Sequence, residues 1–141
     1  MLDCIDSIRL HGERQKATIL GMPFQIRTTR RFCAAHQLRL YDNSLEPVHG
    51  HNWKVCVTVQ SPKLDAIGVV IDFHELERLI DQIISPFHNR HLNEVPPFDQ
   101  INPSAENVAL NVGRSLVLPD PVKLICVEVW ETEECSAVYL G

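Results

Sequence analysis

His49-Gly50-His51-Asn52-Trp53-Lys54-Val55-Cys56-Val57-Thr58-Val59-Gln60-Ser61-Pro62 is the stretch that decides the fold. Val55, Val57 and Val59 alternate with Lys54, Cys56 and Thr58, the period-two pattern of a half-buried strand. Ser61-Pro62 ends the run, because proline cannot donate to a ladder. Residues two apart on a strand share a face. His49 and His51 can therefore reach one ion together, and Gly50 leaves room on the opposite side.

Upstream, Phe24, Ile26 and Thr28 alternate with Gln25, Arg27 and Thr29, which predicts a first strand from Pro23 onward. It closes on Ala34-Ala35-His36. If the two strands pair, His36 arrives beside His49 and His51. Three neutral imidazoles plus a water make an open, catalytic type of zinc site. Imidazole also suits copper, iron and nickel, so residue type alone does not name the metal.

Downstream, Phe73, Leu76, Ile80, Ile83 and Phe87 recur at helical spacing, with Asp72 as N-cap and Pro86 at the end. A second helix is expected from Pro103, with Asn102 as cap and an apolar stripe of Ala105, Val108, Ala109, Val112 and Leu116. Ile125, Val127 and Val129 then alternate as a strand. Thr132-Glu133-Glu134 turns the chain into a last strand over 136–140. Strand, strand, helix, helix, strand, strand predicts an α+β domain, a four-stranded antiparallel sheet with both helices on one face. Its open edges invite subunit pairing.

Residues 1–22 have mixed charge and weak periodicity. They read as a loosely attached extension, with Met22 a natural start for the domain over 23–141. A net charge of -5 argues against a nucleic-acid binder, and no apolar run is long enough to span a bilayer. Arg27, Arg30 and Arg31 read as an exposed strand face. The five cysteines form no CxxC pair, so a disulfide framework is not supported, and a reducing cytoplasm is the expected location. Cys33, Cys56 and Cys126 read as small buried hydrophobes.

Six blocks occur in order: Phe32-Cys33-Ala34-Ala35-His36, His49-Gly50-His51-Asn52, Val70-Ile71-Asp72-Phe73 with Leu76, Leu92-Asn93, Pro103-Ser104-Ala105-Glu106-Asn107, and Glu131-Thr132. Together they resemble the 6-pyruvoyl tetrahydropterin synthase family, which includes the 6-carboxytetrahydropterin synthases, over roughly 23–141. The resemblance implies the tunnelling fold and a homohexamer of two trimers. It also implies zinc held by His36, His49 and His51, and a dihydropterin substrate, typically 7,8-dihydroneopterin triphosphate. It assigns Glu131, Ser104 and Glu106 to the pterin. A carboxylate can accept two N–H bonds from the pyrimidine edge. Read without the resemblance, Glu131 is a strand-end charge, and Ser104 and Glu106 cap a helix and complement its dipole.

The chain also departs from the usual pattern. The family's cysteine, four residues before the HGH motif, is Leu45 here, and its Asp-His pair is replaced by His88-Asn89. Glu46 stands three residues before His49, and this ExxHGH pattern resembles the type III paralogues. Those replace the cysteine with glutamate and cleave the side chain to leave 6-hydroxymethyl-7,8-dihydropterin for folate synthesis. A retro-aldol cleavage needs a polarised oxygen and a base, and zinc and a nearby carboxylate supply them. The expectation is a zinc-dependent lyase with Glu46 as base and His88 as proton shuttle. A pyruvoyl or carboxy synthase with a rearranged relay, and a non-catalytic pterin-binding paralogue, are the rivals.

Overall fold

The computed structural model describes residues 24–141, so the expected extension over 1–22 lies outside the described residues. Strands β1 (Phe24–His36) and β2 (His49–Ser61) are 13 residues each and pair antiparallel without a break. The register runs from Phe24 opposite Ser61 to His36 opposite His49. The apolar alternation sets it. Phe32, Ala34, Trp53, Val55, Val57 and Val59 all face the core, and a one-residue slip would expose one strand's whole set.

Helix α1 (Phe73–Ile84) starts at Asp72, whose carboxylate accepts the N–H groups of His74 (2.8 Å) and Glu75 (3.2 Å). Leu76, Ile80 and Ile84 are its buried stripe, and Phe73 in the first turn is exposed instead. Asp72→Ala should cost about 1 kcal/mol through the lost cap, read as a lower urea midpoint at unchanged slope. Pro86 sits in a 3-10 turn, Ser85–Phe87, which carries Phe87 back into the core. Helix α2 (Ala105–Ser115) buries Ala105, Val108, Ala109 and Val112. Its cap is Ser104 rather than Asn102, because Ser104 Oγ accepts the Asn107 N–H. Asn102 is used elsewhere, bonding both the N–H and the C=O of Arg39.

Strand β3 (Arg90–His91) pairs parallel with β1, and the hairpin β4 (Lys123–Trp130) and β5 (Ser136–Leu140) completes the sheet in the order β3-β1-β2-β4-β5. The sheet thus has five strands rather than four. Two residues are too few to show any alternation, and β3 is held by a tertiary bond, Asn89 N–H to Cys33 O at 2.7 Å. The expected hairpin is present, its turn fastened by Thr132 Oγ1 accepting from Glu134 and Cys135.

The residues of β1 that alternate with the core set lie on the other face of the sheet. Arg27 and Arg31 are exposed there, as expected. Arg30 turns to the helix side and forms a two-point ion pair with Asp81 of α1, at 2.8 and 2.6 Å. Cys56 is buried and Cys126 half-buried, but Cys33 is exposed, because its position in β1 points away from the core. No helix among the described residues is long and apolar enough to cross a membrane.

Candidate metal centre

Pairing β1 with β2 brings the three imidazoles to one end of the sheet. His36 lies directly opposite His49, and Ala34 opposite His51. The ring centroids are 4.6 Å apart for His36 and His49, 5.2 Å for His36 and His51, and 5.0 Å for His49 and His51. Trp53, fully buried, lies edge-on beneath His36 and His51 and donates its indole N–H to Ala34 O at 3.3 Å.

The hydrogen bonds leave particular nitrogens free. His36 is only 1% exposed, so its polar ring needs partners. Its Nδ1 lies 2.8 Å from Pro103 O, and a carbonyl can only accept, so Nδ1 carries the proton. Nε2 of the neutral ring then presents a lone pair. His49 repeats the device, with Nδ1 2.8 Å from Pro47 O. Such carbonyl partners are the usual way a ligating histidine is oriented. Burial, above all, holds the His51 pKa below the ordinary 6.5; the Glu131 carboxylate opposes this shift, and His36 and His49 reinforce it.

The fourth group is Glu131, at the end of β4. Its Oε1 lies 3.1 Å from His36 Nε2 and 3.1 Å from His51 Nε2, yet neither nitrogen has an aligned hydrogen-bond partner. A carboxylate oxygen set beside two imidazole nitrogens calls for a positive charge between them, which a proton on a ring or a metal ion can supply. One ligand atom from each of His36, His49, His51 and Glu131 lies within 4.8 Å of the others. The donor set fits a divalent metal with nitrogen and oxygen ligands, zinc among them.

A cavity of about 550 Å³ adjoins the centre, lined in part by Cys33, His51, Lys54, His88, Trp130 and Glu131. His88, expected as a shuttle, is therefore close to the centre. Its Nδ1 accepts the Cys33 N–H at 3.2 Å, which leaves Nε2–H as the donor of the neutral ring. Asn89 holds this turn with a positive φ of 57°, a conformation that asparagine tolerates.

Glu46 ends a small hairpin between β1 and β2. Its N–H donates to Leu38 O, and its Oε2 accepts the Leu38 N–H at 3.2 Å. It is half-buried and stands outside the four-residue cluster. Ser104 and Glu106 do not line the cavity within one chain, although the neighbouring Pro103 carbonyl orients His36. Sequence reasoning missed Cys33, Lys54 and the Pro47 and Pro103 carbonyls. The pairing of Cys33 with Asn52 and the alternation of β2 could have placed the first two, but backbone carbonyls leave no trace in residue types.

Residues 25–141 match the family model described as 6-pyruvoyl tetrahydropterin synthase. The chain is 33% identical over 139 residues to human 6-pyruvoyl tetrahydrobiopterin synthase, covering 86% of this chain and 95% of the relative. It is 31% identical over 105 residues to the dihydroneopterin monophosphate aldolase of Pyrococcus furiosus, covering 73% and 85%. The structure of Caenorhabditis elegans 6-pyruvoyl tetrahydropterin synthase superposes with a TM-score of 0.74 at 23% identity, over 84% of this chain and 95% of that one. The architecture is accordingly the α+β tunnelling fold, and the chain belongs to the 6-pyruvoyl tetrahydropterin synthase family.

Proposed function

We propose that the protein is a zinc-dependent lyase that cleaves the side chain of 7,8-dihydroneopterin, free or phosphorylated, to 6-hydroxymethyl-7,8-dihydropterin for folate synthesis. The observation that carries the reading is the Leu38–Glu46 hairpin, which ties a carboxylate to the backbone between His36 and His49, where the neighbouring Leu45 offers no thiol. The aldolase activity named for the Pyrococcus relative supports the same chemistry.

His36, His49 and His51 would hold the ion. When bound it acts as a Lewis acid that polarises a side-chain oxygen. Glu46 takes the proton of the 2′-hydroxyl, the C1′–C2′ bond breaks, and glycolaldehyde (or its phosphate) leaves with a new carbonyl. The electron pair is held by the dihydropterin ring, and His88 Nε2–H returns a proton to C1′. Glu131, Ser104 and Glu106 bind the ring's polar edges, the latter two from a neighbouring subunit of a hexamer of two trimers. Exposed Val138 and Leu140 on the edge strand β5 are consistent with such assembly.

A second reading, a pyruvoyl or carboxy synthase with a rearranged relay, is favoured by one observation. The Cys33 thiol is exposed and lines the cavity with His51 and His88. The test is to incubate zinc-loaded protein with dihydroneopterin, its monophosphate and its triphosphate and to resolve the pterins by mass. We expect the 6-hydroxymethyl product. A pyruvoyl or carboxy product would replace the proposal with the second reading. Bound pterin recovered unchanged would make the protein a binding paralogue.

A further inference from the structure

We infer that Glu131 is the fourth protein ligand of the ion in the substrate-free protein, and that it leaves the ion when a pterin ring is seated. The inference rests on the metal-binding and pterin-anchoring parts of the reading above and goes beyond both.

Three histidines alone make an open site. Three histidines and a carboxylate make a complete tetrahedral set. One oxygen of Glu131 lies 3.1 Å from two of the three Nε2 atoms, so the carboxylate is already among the ligands rather than in the cavity beyond them. It is also 28% exposed and lines that cavity, so the same side chain borders both the ion and the space for the substrate. Glu131 follows the last residue of β4, and its backbone N–H bonds Cys135 O across the hairpin. Its main chain is therefore held while its side chain has two destinations.

The two destinations compete. Anchoring the amino and lactam N–H groups of a pterin in a two-point contact takes both carboxylate oxygens. An oxygen so engaged cannot keep its place between His36 and His51. Seating the ring would open a coordination position at the moment the side chain to be cleaved arrives, and in the substrate-free protein that position would be closed to water and stray anions. Linkage then requires reciprocity: a pterin weakens metal retention by the factor by which the metal weakens the pterin.

The probe is 2-amino-4-oxopteridine, which lacks the hydroxyl-bearing side chain and so cannot reach the ion through it. Cobalt(II) replaces zinc to make the coordination visible as ligand-field absorption. We expect the wild-type cobalt spectrum to show a four-coordinate site and to change on pterin saturation, followed in the same cuvette by pterin fluorescence. We expect Glu131→Gln, which keeps the side chain's size, to lower zinc affinity by about tenfold or more in chelator competition. Equal zinc affinity in wild type and Glu131→Gln, with metal lost from His51→Ala, would overturn the inference and leave the three-histidine centre standing. So would a cobalt spectrum indifferent to bound pterin. A wild-type protein that holds no metal would overturn both the inference and the metal centre.

Discussion

Glu46→Gln should lower turnover by about 10²- to 10⁴-fold, the span a positioned general base supplies, with the zinc content of the purified protein unchanged. Glutamine is the informative replacement because its carbonyl oxygen still accepts the Leu38 N–H that Glu46 Oε2 accepts at 3.2 Å. The hairpin is then kept and only the basicity is lost. Glu46→Ala would also leave that N–H without its partner, at about 1 kcal/mol, and so mixes two effects. Steady-state rates for the two variants, read beside their metal content and thermal midpoints, separate base from tether. Wild-type rates in Glu46→Gln would remove Glu46 from the chemistry.

His36→Ala and His49→Ala should both lose zinc and fall to background activity, yet differ sharply in stability. His36 is 1% exposed, and its loss empties a buried site and strands the Pro103 carbonyl. An unsatisfied buried acceptor costs about 1–3 kcal/mol before any cavity is counted. His49 is exposed, and its removal leaves neither defect. In the presence of chelator, where metal no longer contributes, the thermal midpoint of His36→Ala should lie several degrees below wild type, and that of His49→Ala close to it. Coincident midpoints would mean that His36 has no structural role apart from the ion.

The sequence made the centre of this molecule legible and its margins less so, for physical reasons. Alternation over Val55, Val57 and Val59 is a burial signal, and the strand it indicates has those residues fully buried. One-sided burial on both strands excludes an odd slip but not an even one, so the meeting of His36 with His49 was legible only on the condition that the strands pair as the ladder shows. Strand β3 was illegible because its two residues owe their conformation to Cys33 and not to their own side chains. The cap of α2 was misplaced by two residues because Asn102 and Ser104 are both good caps, and only the demand of the Arg39 backbone for Asn102 separates them. Cys33 was misread because a cysteine in an apolar stretch is usually buried, whereas its odd position in β1 turns it outward. Ser104 and Glu106 do not line the cavity, and Glu46 stands outside the four-residue cluster, so neither strand alternation nor helix periodicity ties them to the centre.

The unbroken pairing of β1 with β2 has a consequence for how the protein comes to be made. Each strand is 13 residues long, and the imidazoles sit at one end of that ladder. Sliding β1 by one residue would turn His36 to the opposite face while His49 and His51 stayed where they are. An ion that requires all three rings binds only the in-register sheet, and by mass action it enriches that sheet over misaligned ones. A sheet one notch out of step would already carry Phe32 and Ala34 into water, so a bound ion would favour the same alignment that burial favours and add a second selection to the first.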